Sequence, residues 1–133
     1  MENEKKSTGH PKTILLVDDQ DDYRITTKLF LSNFGYVVDS ARCAEQALAL
    51  FDATVHDIVI TDNRMPGMSG SEMAQVIKQR STSTPIIMYS GLPPENRSAL
   101  DVFIVRPTHL LTLKEAVDKM FEVSQEGRDP ANL

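Results

Sequence analysis

The sequence predicts an α/β fold, a doubly wound five-stranded parallel sheet with helices on both faces. Three observations carry this expectation. Short apolar runs alternate with segments of helical periodicity along the whole chain. Two of these runs, Ile14-Leu15-Leu16-Val17 and Ile58-Val59-Ile60, lack any polar–apolar alternation, as strands covered on both faces should. Both end in acidic residues, Asp18-Asp19 and Asp62, at the carboxyl edge where open α/β sheets hold their ligands.

Residues 1–12 are polar and charged and read as a flexible lead-in. Thr13–Val17 is the first strand. Asp21 or Asp22 is expected to cap a helix running to about Phe34, with Gly35 as its stop. Tyr36-Val37-Val38 is a short second strand. Ala44, Ala47, Leu48 and Phe51 share one face of a second helix. Ile58–Thr61 is the third strand, and a compact loop with Pro66, Gly67 and Gly70 follows it. Met73, Val76 and Ile77 mark a third helix that ends before Ser81–Thr84. Pro85–Ser90 is a fourth strand with proline at its entry, where a missing N–H is tolerated. Val102–Val105 is the fifth, closed by Arg106-Pro107. Thr112-x-x-Glu115 has the form of a capping box for a last helix, with Leu113, Val117, Met120 and Ser124 facing inward. One domain over 13–125 and a polar tail over 126–133 complete the chain, without internal repeats.

Composition narrows the function. A chain of 133 residues with net charge −5 and no basic stripe is a poor partner for nucleic acid. No apolar run is long enough to span a membrane, and the first residues lack the core of a signal peptide. The single cysteine, Cys43, fits a reducing compartment, so a cytoplasmic location is expected. His10, His56 and His109 show no ligand spacing and are expected to be solvated. Cys43 and the methionines read as packing groups.

Four strand ends carry polar groups: Asp18 with Asp19, Asp62, Ser90 and Arg106. Asp62 alone could be an ordinary helix cap. A strand order of 2-1-3-4-5 would instead set the first and third strands side by side, crowding three carboxylates into one crevice. Like charges that close raise one another's pKa unless a cation intervenes. A hard, oxygen-only site of this kind suits Mg²⁺. Ser90 adds a hydroxyl and Arg106 a fixed positive charge, the groups needed to hold a phosphoryl group on Asp62.

The series Ile-Leu-Leu-Val-Asp-Asp, then Asp62-x-x-Met-Pro-Gly-Met-Ser-Gly, then a strand-end Ser, then basic-Pro resembles the receiver domain of two-component response regulators. The resemblance covers residues 13 to about 125 and implies a flavodoxin-like sheet of order 2-1-3-4-5. It also implies that Asp62 accepts a phosphoryl group from a phosphohistidine on a sensor histidine kinase or phosphotransfer protein. Mg²⁺ would be held by Asp19 directly, Asp18 mainly through water, Asp62, and the backbone carbonyl of Arg64. Ser90 and Phe103 would form the hydroxyl–aromatic switch, with Arg106 as the phosphate-binding cation. Arg64 and Leu92 flank the acceptor and the switch hydroxyl, and Arg64 is expected to cover Asp62 in part. Such a domain is a phosphoacceptor that assists its own phosphorylation and dephosphorylation, not an enzyme with a separate substrate. It is expected to stand alone and to signal to a downstream protein, with a homodimer left open.

Two departures stand out. Arg106 replaces the family's lysine, and a planar, bidentate guanidinium is not equivalent to an ammonium at a tight phosphate site. The stretch between Ser90 and Phe103 is short and holds Pro93-Pro94, so the family's fourth helix is expected to be little more than Glu95–Leu100, or missing. These departures motivate an alternative, a degenerate receiver that binds proteins without phosphorylation. A phosphatase of the haloacid dehalogenase type needs Asp-x-Asp-x-Thr or Val, and Asp19-Gln20-Asp21-Asp22-Tyr23 lacks the last residue. A flavodoxin-like nucleotide binder is disfavoured by the acidic first loop.

Overall fold

The two uninterrupted apolar runs lie side by side at the centre of one sheet, which explains why neither alternates. The computed structural model describes residues 10–128, with side chains through residue 123. Its elements run β1 (Thr13–Val17), α1 (Asp21–Ser32), β2 (Val37–Ala41), α2 (Ala44–Leu50), β3 (Ile58–Thr61), α3 (Gly70–Arg80), β4 (Ile86–Ser90), β5 (Val102–Val105) and α4 (Leu110–Arg128). The strands pair in the order β2-β1-β3-β4-β5, all parallel. This is the flavodoxin-like order.

Successive strand residues point to opposite faces, and each face has its own core. Ile14, Leu16, Ile58, Ile60 and Ile87 meet Leu31 of α1 and Leu113 and Val117 of α4. Leu15, Val17, Val59 and Ile86 meet Ala44 and Ala47 of α2 and Met73, Ala74 and Ile77 of α3. Each of these fully buried isoleucines contributes on the order of 2 kcal/mol of transfer free energy, so the centre of the sheet is the rigid base of the molecule. The expected inner face of α4 is buried at Leu113 and Val117, Met120 packs at its margin, and Ser124 lies outside the described side chains.

Several local expectations change. The position before α1 is Gln20, whose side chain makes no cap; Asp21 and Asp22 lie in the first turn, where their charge still favours the helix dipole. Gly35 takes φ +94°, the left-handed conformation that ends α1. The last helix does not open on Thr112. His109 caps it instead, its Nδ1 accepting from Leu111 N–H at 3.1 Å and its carbonyl from Thr112 N–H at 2.9 Å. Starting at Leu110 brings that residue against the core beside Leu113, and this burial outweighs the local pattern. The helix also continues to Arg128, past the expected start of the tail at 126. The outermost tail residues, 1–9 and 129–133, lie outside the described residues.

His56 is not solvated. It is 3 % exposed, its Nδ1 accepts from Asp52 N–H at 3.0 Å and its Nε2 lies 2.8 Å from Asp39 Oδ2. These partners place the proton on Nε2.

Between β4 and β5 the chain has no helix at all. Pro93 and Pro94 remove two donors, and Asn96 Oδ1 accepts from Ser98 N–H at 2.9 Å in a local turn that competes with helix. The loop is tied down at its far end. Asp101 Oδ2 accepts from Ile86 N–H at 2.7 Å and from Lys78 Nζ at 2.9 Å.

Candidate phosphoacceptor and metal site

The parallel ladder extends one residue beyond the strands, and this places the acidic groups. Asp18 N–H donates to the Ala41 carbonyl at 3.1 Å and Asp62 N–H to the Val17 carbonyl at 2.9 Å. Two neighbouring strands therefore deliver Asp18 and Asp62 to one crevice at 3 % and 4 % exposure. Arg106 N–H donates to the Ser90 carbonyl at 3.0 Å, so the same device sets Arg106 beside Ser90 at the other side.

The loop after Asp62 is locked by local hydrogen bonds. Asn63 N–H donates to Asp62 Oδ1 at 2.8 Å, Gly70 N–H donates to the Asn63 carbonyl at 2.8 Å, and Thr61 Oγ1 donates to the Asp62 carbonyl at 2.7 Å. Asn63 Oδ1 accepts from both the N–H and the hydroxyl of Ser71. The start of α3 comes so close that a β-carbon on Gly70 would fall 2.1 Å from the Asp62 carbonyl oxygen. Ser69 and Glu72 close a reciprocal capping box on that helix.

Asp18, Asp19 and Asp62 each offer a carboxylate oxygen, and these atoms lie within 4.8 Å of one another. Asp19 Oδ1 is buried and has no hydrogen-bond partner. A buried anionic oxygen left unsatisfied is costly, so the donor set fits a hard divalent cation such as Mg²⁺. Burial pushes the Asp62 carboxyl above its ordinary value, and the Asp18 charge adds to this; hydrogen bonds from Ser90 and Asn63 and the Arg106 charge oppose it.

Arg106 is itself in the crevice, 5 % exposed. Its Nη1 lies 2.6 Å from Asp18 Oδ2 and its Nη2 3.2 Å from Asp62 Oδ2. The structure thus brings Asp18, Asp19, Asp62, Ser90 and Arg106 together. Phe103 does not join them. It sits half-buried on β5, opposite Met88 in register, with the Arg97 guanidinium 4.9 Å over its ring. The Arg64 and Leu92 side chains are exposed.

Tyr23 and Tyr89 are neighbours of the site that the motif pattern does not point to. The Arg106 guanidinium carbon lies 3.7 Å from the Tyr23 ring centre and 5.4 Å from that of Tyr89. Their only sequence signal is indirect, in that an arginine at a lysine position favours flat aromatic partners.

The family model for the response regulator receiver domain matches residues 14–119. The autoinducer 1 sensor kinase/phosphatase LuxN of Vibrio campbellii is 31% identical over 110 residues, 79% of this chain and 13% of LuxN. The chain spans far less than two thirds of the length of such curated relatives. The response regulator TrrA of Thermotoga maritima, solved in complex with Mg²⁺ and beryllofluoride, is 34% identical with a TM-score of 0.77, over 82% of this chain and 98% of that one. TrrA has also been solved in complex with the histidine kinase ThkA. A CheY-like receiver domain from Methanospirillum hungatei is 27% identical with a TM-score of 0.80, over 88% and 99% of the two chains.

Proposed function

Since the chain belongs to the response regulator receiver domain family of two-component systems, we propose that it accepts a phosphoryl group on Asp62 in a Mg²⁺-dependent reaction. The donor is a phosphohistidine on a sensor histidine kinase or phosphotransfer protein, as the pairing of TrrA with ThkA suggests, and the output is a protein–protein contact. A cytoplasmic setting is part of this reading. No described helix is long and apolar enough to cross a membrane.

The single observation that carries the proposal is the convergence of Asp18, Asp19 and Asp62, with a buried, unpartnered Asp19 oxygen among them. A carboxylate oxygen of Asp62 attacks phosphorus, forming an O–P bond as the P–N bond to the donor imidazole breaks. The electron pair stays on the departing nitrogen. Mg²⁺, held by Asp18, Asp19, Asp62 and the Arg64 carbonyl, would supply positive charge to the phosphoryl oxygens. Ser90 donates its hydroxyl to the new group, and Arg106 offsets part of its charge of nearly −2. Phe103 follows the movement of Ser90 as the switch residue, shifting an equilibrium that already exists. These groups let the chain assist its own phosphorylation and dephosphorylation without making it an enzyme for a separate substrate.

Acetyl phosphate with and without Mg²⁺ tests the proposal on wild type, Asp62→Asn and Arg106→Lys. Labelling should require Mg²⁺, vanish in Asp62→Asn and persist in Arg106→Lys. Label retained by Asp62→Asn would sink the assignment.

A second reading, a degenerate receiver that binds proteins without phosphorylation, is favoured by the Arg106 bridge across Asp18 and Asp62 and by the missing helix after β4. Beryllofluoride with Mg²⁺ separates the two. Unchanged NMR shifts at Ser90 and Phe103 select the second.

A further inference from the structure

Arg106 is fixed by more than its two carboxylates. The Tyr23 and Tyr89 rings stand edge to face at 89°, with centres 6.5 Å apart, and the guanidinium lies against both. Asp18 is held at every polar atom. Its Oδ1 accepts from Gln20 N–H at 2.9 Å, its Oδ2 meets Arg106 Nη1 at 2.6 Å, and its carbonyl accepts from Arg24 Nη1 at 3.0 Å. Arg24 and Tyr23 are consecutive residues of α1, so one turn of helix fixes both Asp18 and the aromatic face beside it. A guanidinium is planar and weakly hydrated, and it can stack on a ring while bridging two carboxylates. An ammonium is a point charge and cannot do both at once.

We propose that Tyr23, assisted by Tyr89, is a positioning residue that pins the Arg106 guanidinium across Asp18 and Asp62 as a tethered counter-ion. The cation lies where it neutralises two of the three carboxylates a divalent metal would use. Metal entry is opposed by this resident charge and requires the guanidinium to loosen its hold on Asp18. The strength of the Tyr23 stack therefore sets the metal affinity of this chain. The proposal rests on reading the three carboxylates as a Mg²⁺ site.

The test is Mg²⁺ binding itself, measured by titration calorimetry on wild type, Tyr23→Leu, Tyr23→Phe and Arg106→Lys, with circular dichroism as the check on folding. Tyrosine emission is a second readout, because the chain has three tyrosines and no tryptophan, and two of the three contact the guanidinium. Tyr23→Leu should bind Mg²⁺ about three- to tenfold more tightly, the range expected when a partly exposed cation–π contact is removed. Tyr23→Phe, which keeps the ring, should match wild type. Arg106→Lys should bind more tightly, like Tyr23→Leu. A purely structural role for Tyr23 would weaken binding or leave it alone. Folded Tyr23→Leu with wild-type or weaker affinity overturns the proposal. If that variant does not fold, unchanged affinity in Arg106→Lys overturns it. No Mg²⁺ binding by any of the four sinks the metal site and this inference together. Normal Mg²⁺ binding without acetyl phosphate labelling sinks the phosphoacceptor reading alone.

Discussion

Beyond the ladder bonds that both share, the two sides of the sheet's carboxyl edge are held by different means. Around β1 and β3, Asp18 and Asp62 hang from ladder hydrogen bonds, and the loop after Asp62 is closed by the Gly70-to-Asn63 bond and a capped helix. Around β4 and β5 no helix follows Ser90, Val105 is 54% exposed, and the connecting loop depends on Asp101 and on Arg97 over Phe103. Buried ladder bonds have no alternative partners, whereas exposed side-chain ties such as Lys78 to Asp101 compete with water. The clustered carboxylates are therefore built on the more tightly tied side, and the looser ties are left to the loop between β4 and β5.

The largest effect should come from Gly70→Ala. Its β-carbon would meet the Asp62 carbonyl oxygen at 2.1 Å, and both are backbone-anchored, so neither can step aside. A loss of about 3 kcal/mol is expected in urea unfolding, the upper part of the range for overpacked sites, together with loss of acetyl phosphate labelling. A stability within error of wild type would show that the loop after Asp62 is more plastic than its bonding implies.

The same side should carry a pH dependence. Burial leads the causes that raise the Asp62 pKa above its ordinary 3.8. A carboxyl whose folded value exceeds its unfolded value holds its proton more tightly when folded. Its contribution is then favourable at low pH and is lost as pH rises through the folded value. Asp62→Asn carries no charge at any pH and escapes this loss. Its melting midpoint should exceed that of wild type at neutral pH, and the gap should shrink below the carboxylate range. A midpoint lowered at neutral pH would mean that the Arg106 pairing outweighs burial.

On the other side, Asp101→Ala should cost about 1.5 kcal/mol, since Ile86 N–H loses its acceptor and Lys78 its partner. Hydrogen exchange should speed up across residues 91–101 while Asp62 still takes up label. Loss of labelling in this variant would break the separation between the two sides. Ser69→Ala should cost about 1 kcal/mol by opening the capping box of α3, again without change in exchange over 91–101.

The acidic corner was legible because Asp18-Asp19 and Asp62 close two apolar runs, the first directly after Val17 and the second one residue past Ile60, which sets them at the carboxyl ends of strands. The sheet order followed from the family resemblance together with strand–helix alternation. The Tyr23–Arg106 stack was not legible, because it joins α1 to the residue after β5 and depends on a crevice that only the folded sheet creates. His56 was misread for the same reason, as Asp39 comes to it from β2, although its other partner, Asp52, is local. The Thr112 box failed on a local ambiguity. The same Ser/Thr-x-x-Glu pattern does cap α3 at Ser69 and Glu72, but before α4 the burial of Leu110 moves the start forward to His109. Capping patterns decide a helix start only where the core register agrees with them.

The smallest expected effect gives the most direct view of the β4–β5 side. Arg97 is exposed and lies 4.9 Å from the Phe103 ring centre, so its cation–π contact should be worth about 0.5 kcal/mol. Stability alone will barely register its loss. Rotamer populations will, because half a kilocalorie changes a two-state ratio by about twofold at 25 °C. Arg97→Ala should therefore leave the unfolding midpoint nearly unchanged while broadening or shifting the Phe103 ring resonances, with those of Tyr89 unaffected. If Phe103 is unmoved, its position is set by β5 and the loop backbone instead. The side-chain ties would then be incidental, and the β4–β5 side would be as firmly built as the β1–β3 side.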